Sequence, residues 1–246
     1  MHVDLVEALR CPRRHEESWL VVATDVVIER RIIRGTIGCP VCGGEWRIKE
    51  GELDFDAPAL LLAGTSPAAS PAASPVASTT RQPMSLHPSG GTRAIAELNT
   101  PTLEASALRL AALLDLRDAT GAVVLLGEAA RVADALASLT GAMVLAVNAP
   151  PGVGTRHSRL RVLRALPLGV GTVRGVALDH AHSGASWMSC AVRAVQQGGR
   201  MIAPADVPVP DDVRELARDE DEWVGEVRVA ASGLIPLRRG GDPLRP

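Results

Sequence analysis

Beyond residue 100 the apolar positions fall into alternating helical and strand rhythms. Thr100 and Pro101 form a helix start, a capping hydroxyl followed by a proline whose missing N–H is harmless in a first turn. Leu103, Ala107, Leu110, Leu113 and Leu114 then recur at helical spacing towards Asp118, with Arg109 and Arg117 elsewhere on the surface. The run from Ala122 to Leu126 is short, apolar and rich in β-branched residues, which predicts a buried parallel strand. A helix is expected over 129–139, strands over 142–147, 173–178 and 200–203, and a helix over 187–197. This β-α-β-α-β order predicts a doubly wound α/β sheet. The charged run 214–222 is expected to be a solvated helix end, and Gly152-Val153-Gly154, behind two prolines, a flexible turn.

The N-terminal stretch differs. Trp19-Leu20-Val21-Val22 is an apolar strand candidate inside a short segment, and from 57 to 92 the composition turns to Ala, Pro, Ser and Thr with a Ser-Pro-Ala-Ala repeat. Proline removes donors and small side chains bury little area, so 57–92 is expected to be a linker. Three parts follow: a module over 1–56, the linker, and an α/β domain over 93–246. A module of about 55 residues buries its strands poorly alone, so it is expected to pair with the α/β domain through a strand edge.

Candidate chemistry begins in that module. Cys39-Pro40-Val41-Cys42-Gly43-Gly44 places two thiols two residues apart, the spacing that wraps one tetrahedral ion, with glycines that let backbone amides approach the sulfurs. The other half of such a site would lie at Cys11-Pro12-Arg13-Arg14-His15, where Arg14 stands in the place of a second thiol and His15 is the nearby replacement. The expected zinc ligands are therefore Cys11, His15, Cys39 and Cys42. Cys190, alone in an apolar helical stretch, reads as an inert core thiol.

On the marks Leu5 to Pro12, Gly38 to Cys42 and Trp46 to Phe55, the first fifth of the chain resembles the small zinc-ribbon family that activates methyltransferases. That resemblance implies a β-rich mini-domain that works by pairing with a methyltransferase. The region from about Thr100 to Leu237 is similar to a class I S-adenosylmethionine-dependent methyltransferase domain. The carrying residues are Leu166-Pro167-Leu168 leading into the strand that ends at Asp179, and Gln197-Gly198-Gly199-Arg200 leading into the next.

In a dinucleotide-type crevice the first strand ends in a glycine-rich turn, because the ligand lies against bare backbone at a helix start. Here the turn reads Gly127-Glu128-Ala129-Ala130-Arg131, with Ala129 and Arg131 standing where the resemblance places glycines and Leu125 where it places an acid. The second strand ends at Val147-Asn148, an amide in the position of a ribose-binding carboxylate. Gly127, Glu128, Asn148 and Asp179 are the candidate cofactor residues, and the substitutions among them argue against S-adenosylmethionine. Asp179, His180 and His182 can also be read as acid/base groups at a strand end, or as polar loop residues.

Composition narrows the classes. The 246 residues are 46% apolar, ample for a core, and a formal net charge of −2 gives no global reason to bind nucleic acid. No Tyr and one Phe leave few platforms for unpaired bases. The start, Met1-His2-Val3-Asp4, lacks the basic residues of a signal peptide, no stretch is apolar enough to span a bilayer, and a cytoplasmic location is expected. The leading expectation is an activator-like module fused to a non-catalytic methyltransferase-like domain that binds a partner, another methyltransferase or a different protein. Two alternatives are an active methyltransferase with an atypical loop and a metal-dependent adaptor with a ligand-sensing α/β domain.

Overall fold

The computed structural model describes residues 1–57, 100–117, 121–154 and 156–228, so the expected linker falls, Ala57 apart, outside the described residues. Helix α1 (Val3–Ala8) opens the chain. An antiparallel meander follows: β1 (Val21–Ile28), β2 (Arg31–Gly38), β3 (Glu45–Lys49) and β4 (Glu52–Asp54). Two of its turns use positive backbone angles, Glu29 and Arg30 at φ 46° and 63° and Glu50 and Gly51 at φ 51° and 77°, the handedness that tight hairpins need.

The remaining elements are α2 (Thr100–Leu113), β5 (Ala122–Leu126), a 3-10 turn over Gly127–Val132, α3 (Ala133–Thr140), β6 (Met143–Val147) and β7 (Ser158–Arg161). They continue with β8 (Val173–Ala177), α4 (Ala185–Ala194), β9 (Val195–Pro204), β10 (Val213–Arg218) and β11 (Glu222–Val227). All the strands join one 11-stranded sheet in the order β1-β2-β3-β4-β7-β6-β5-β8-β9-β11-β10. The strands β7-β6-β5-β8-β9 are parallel and follow the 3-2-1-4-5 order of a doubly wound sheet, with the order reversing between β5 and β8. β4 lies parallel to β7, Glu52 beside Arg159, Leu53 beside Leu160 and Asp54 beside Arg161, and Glu52 forms ion pairs with both arginines at 3.0 and 2.7 Å.

Strand alternation sorts the core into two layers. Val124, Leu126, Leu145, Val147 and Met201 share a cluster with Leu5 and Leu9 from the α1 region, Trp46 and Phe55 from the meander, and Met188 and Ala191 of α4. Val123, Leu125, Val144, Ala146 and Ile202 share the other with Ala107 and Ala111 of α2 and Ala133 and Leu136 of α3. Among the described residues no helix connects β6 to β7, so α2 and α3 cover only part of the second face. None of the described helices is long and apolar enough to cross a membrane.

Several expectations need correction. The run 214–222 is not a helix end: β10 and the start of β11 form a hairpin whose turn is held by Asp219 Oδ1, which accepts from the Asp221 and Glu222 amides at 2.9 Å. Its charges belong to an exposed edge strand, where Arg214 and Glu226 pair across the hairpin at 3.0 Å. The first long helix stops at Leu113, because Asp115 takes φ 54° and the Leu116 amide donates back to Ala111 O at 2.9 Å, closing the last turn. The helix expected over 129–139 is a 3-10 turn followed by α3, which ends at left-handed Gly141. α4 ends at Ala194 because Val195 already pairs with Val173 in the parallel ladder. Helix α1 and strand β7 had no counterpart among the expected elements.

Two predictions follow from this architecture. Leu53 is fully buried at the β4–β7 junction, so Leu53→Ala is expected to cost about 2–5 kcal/mol in denaturant unfolding. An effect under about 1 kcal/mol would mean the junction is not packed as described. His157 is also buried, with its Nδ1–H donating to Asp134 Oδ1 at 2.8 Å and Nε2 lacking a partner among the described residues. Burial, helped by Arg159 and Arg31, lowers its pKa below the ordinary 6.5 against the opposing pull of Asp134. The unfolded chain therefore binds this proton more readily, so the stabilisation is complete above about pH 6.5 and is lost as pH falls below it. Unfolding free energies measured from pH 7.5 to 5 should fall less steeply for His157→Asn than for the natural chain, and equal slopes would contradict this.

Candidate metal centre and candidate cofactor crevice

The metal cluster is assembled from two loops. The Cys11 amide donates to Ser18 O at 3.2 Å, which holds the segment after α1 against the strand-side chain, while the Cys39–Gly44 loop closes on itself through Cys39 N to Gly44 O at 2.8 Å and Gly43 N to Cys39 O at 2.9 Å. Gly43 takes φ 62°, which a side chain would strain. The ligand atoms of Cys11, His15, Cys39 and Cys42 all lie within 4.8 Å of one another. Cys11 Sγ and Cys42 Sγ are 3.7 Å apart, and His15 Nε2 is 3.4 Å from Cys39 Sγ. Metal–sulfur bonds of about 2.3 Å and metal–nitrogen bonds of about 2.0 Å at tetrahedral angles require ligand separations of about 3.8 and 3.5 Å. The donor set therefore fits a zinc-type ion.

The surroundings suit that role. His15 Nδ1 donates to Glu16 O at 2.5 Å, which leaves the Nε2 lone pair free to face the thiols. Burial raises the Cys39 pKa, but amides of Cys42 and Val41 and the neighbouring thiols outweigh it and bring the value to about 6. Burial dominates at Cys11 and pushes it up to about 12. Four ligands would fill a tetrahedron and leave no open position, so an ion held here would be structural rather than catalytic.

The cluster also anchors to the rest of the sheet. Leu9 bridges to Leu168, Arg10 N donates to Pro167 O at 2.8 Å, and Gly169 N donates to Ala8 O at 2.8 Å. Arg10 is buried, stacked on Trp19 at 3.6 Å and bonded to Glu17 at 3.0 Å, and Glu17 in turn accepts from Arg193 of α4 at 3.1 Å. These contacts lie where the chain enters β8, at the opposite end of that strand from Asp179.

At the carboxyl ends of the strands the structure brings together Gly127, Glu128, Asn148 and Asp179, and joins them through His182. Asp179 Oδ2 accepts from Glu128 N at 2.9 Å, and Oδ1 accepts from His182 N at 3.0 Å and His182 Nδ1 at 2.6 Å. With Nδ1 carrying the proton, His182 Nε2 accepts from Asn148 Nδ2 at 3.0 Å. The Asn148 amide is oriented by Val162, donating to its O at 2.8 Å and accepting from its N at 3.0 Å, with the backbone at φ 51°. Trp187 meets the His182 ring edge-on at 4.8 Å. A Cβ on Gly127, itself at φ 55°, would lie 1.9 Å from Asp179 Oδ2, so glycine here makes room for a carboxylate of the same chain.

This chain of bonds spans the gap where the strand order reverses. The turn amide of Glu128 donates to Asp179, and the Asn148 side-chain amide is bonded to Val162 and His182. Arg131 folds back onto Glu128. The Nε2 atom of His182 faces Asn148 Nδ2, and His180 stands exposed on the rim, 3.5 Å from Asp206. The sequence reading grouped Asp179, His180 and His182 at a strand end, as acid/base groups or polar loop residues, without the bonds that join Asp179 to His182. Their spacing, an N-cap aspartate with the histidine three residues on, was the available signal, since Asp179 caps the 3-10 turn over His180–His182.

Two hollows flank the crevice. One of about 350 Å³ lies between α2 and the strand ends, lined by Glu128, Ala129, Leu178 and Ile202 among others. The larger, about 1010 Å³, lies between α2, α3 and the 152–154 turn, and its polar lining is Glu104, Arg131, Asp134 and Ser138. The turn at 152–154 presses Gly154 against Asp134, whose Oδ2 would be 1.7 Å from an added Cβ.

No protein-family model matches the chain, and no curated relative does. Solved methyltransferase structures do. Geranyl diphosphate C-methyltransferase from Streptomyces coelicolor is 16% identical with a TM-score of 0.34, over 46% of this chain and 50% of its own. An RNA methyltransferase from Salinibacter ruber is 17% identical with a TM-score of 0.37, over 53% of this chain and 92% of its own. The N-methyltransferase NodS from Bradyrhizobium japonicum is 11% identical with a TM-score of 0.37, over 53% and 98%.

The metal site yields a direct prediction. Protein purified without added metal is expected to carry about one equivalent of zinc by elemental analysis, and cobalt exchanged into it should show thiolate charge-transfer and tetrahedral d–d bands. Cys39→Ser should abolish retention and His15→Ala weaken it by about tenfold or more. Metal-free protein with unchanged stability would reject the site.

Proposed function

We propose that this is a methyltransferase-related protein whose α/β sheet has become a binding unit rather than a catalyst. In this reading the metal-stapled N-terminal module and the α/β sheet work as one body that presents its surfaces to a protein partner. The observation that carries the reading is the Glu128–Asp179–His182–Asn148 chain, which occupies the crevice with the protein's own hydrogen bonds. S-adenosylmethionine, bound as the resemblance implies, would meet a turn amide already donating to Asp179 and, after β6, an Asn148 side chain already bonded to Val162 and His182. Displacing the charged Asp179 bond alone costs about 1.5–3 kcal/mol, or roughly ten- to hundredfold in affinity.

A second reading, a working methyltransferase, is favoured by the 350 Å³ hollow at the strand ends. It requires the Asp179–Glu128 bond to break so that the turn is bared.

Calorimetric titration of the full chain with S-adenosylmethionine or its demethylated product separates the two. The proposal expects no saturable binding below about 1 mM, a hundredfold or more weaker than a micromolar site. Micromolar saturation by the natural chain, lost on Gly127→Trp, would make the enzyme reading primary.

A further inference from the structure

β9 and β10 are parallel with β11 between them, an arrangement whose crossover ordinarily takes a dozen or more residues and usually a helix. The 205–212 connection makes it without one. It turns through Val207 N to Pro204 O at 3.1 Å and Val213 N to Pro210 O at 2.9 Å, and is pinned where Val207 O accepts from the buried Trp223 indole at 2.9 Å. One flank of α4 is left uncovered beside it, and a groove of about 750 Å³ runs between the two. Met188, Val192, Val207 and Val209 give the groove an apolar lining, while Asp211 and Asp212 form an acidic lip with no ion-pair partner among the described residues.

The described chain leaves the sheet at this lip. Val227 pairs with Val213, and Arg228 N donates to Asp212 O at 2.8 Å. The sequence then reads Val229-Ala230-Ala231-Ser232-Gly233-Leu234-Ile235-Pro236-Leu237-Arg238-Arg239: small spacer residues, three large apolar side chains, then two guanidinium groups. Fully extended, the 229–233 spacer reaches about 17 Å, enough to set the apolar triplet into a groove that begins beside it. The two arginines complement the acidic lip. We propose that residues 229–239 of the same chain occupy this groove, supplying the apolar cover that α4 lacks, with Arg238 and Arg239 facing Asp211 and Asp212.

The test uses hydrogen exchange, read by mass spectrometry, on the full chain. In a Leu234→Asp/Ile235→Asp/Leu237→Asp variant, peptides from α4 and from 205–212 are expected to exchange at least tenfold faster, while β5 and β6 are unchanged. Asp211→Lys/Asp212→Lys should produce the same loosening, and adding Arg238→Glu/Arg239→Glu to it should restore protection. Unchanged exchange in both loosening variants would overturn the proposal. So would protection that appears only at high concentration with cross-links between isotopically distinct copies, because the groove would then hold a second chain's segment.

Discussion

One short parallel ladder, Glu52–Asp54 beside Ser158–Arg161, makes a single sheet out of a meander and a doubly wound core. Without it β4 and β7 would both be open edges with unpaired backbone groups. With it, Leu53 and Leu160 sit side by side in one apolar cluster, and Glu52 is held between two guanidinium groups on the other face. The same joint brings α1 over the face of the sheet shared with α4, and so brings the Cys11 segment to the start of β8. The cysteine–histidine cluster thus adjoins the segment on which Leu9 and Arg10 meet the second half of the chain.

At the far ends of the strands the controlling feature is a carboxylate surrounded by donors. Asp179 receives three N–H groups from two loops, and this ties the turn after β5 to the segment after β8. Asn148 extends the tie to β6 through His182. The cysteine–histidine cluster and the crevice each join loops from separate parts of the chain.

Much of this was legible in the sequence, for identifiable reasons. β5 and β6 are buried on both faces, so they read as unbroken apolar runs. β7 did not, because Arg159 and Arg161 flank its single large apolar residue, and those charges make sense only once Glu52 of β4 lies alongside. β10 was misread because an edge strand carrying one cross-strand ion pair and one within the strand has the composition of a solvated helix. Cys39 and Cys42 could be named from spacing alone, and Cys11 and His15 from what the spacing lacked. The positions of Asn148 and Asp179 at strand ends were equally readable. The tie from Asn148 to Val162 and His182 was not, since both reach it from loops with no periodic signature, and only the three-residue spacing of Asp179 and His182 hinted at their bond.

The tautomer of His182 reports directly on the hydrogen-bond chain across the crevice. Long-range proton–nitrogen NMR on the full chain should show His182 as one neutral tautomer, protonated at Nδ1 and accepting at Nε2, alongside a Glu128 amide protected from exchange. Both signals should remain in place when S-adenosylmethionine is added in excess. A His182 ring that averages between tautomers, or a Glu128 amide that exchanges freely and shifts saturably with the cofactor, would contradict the account.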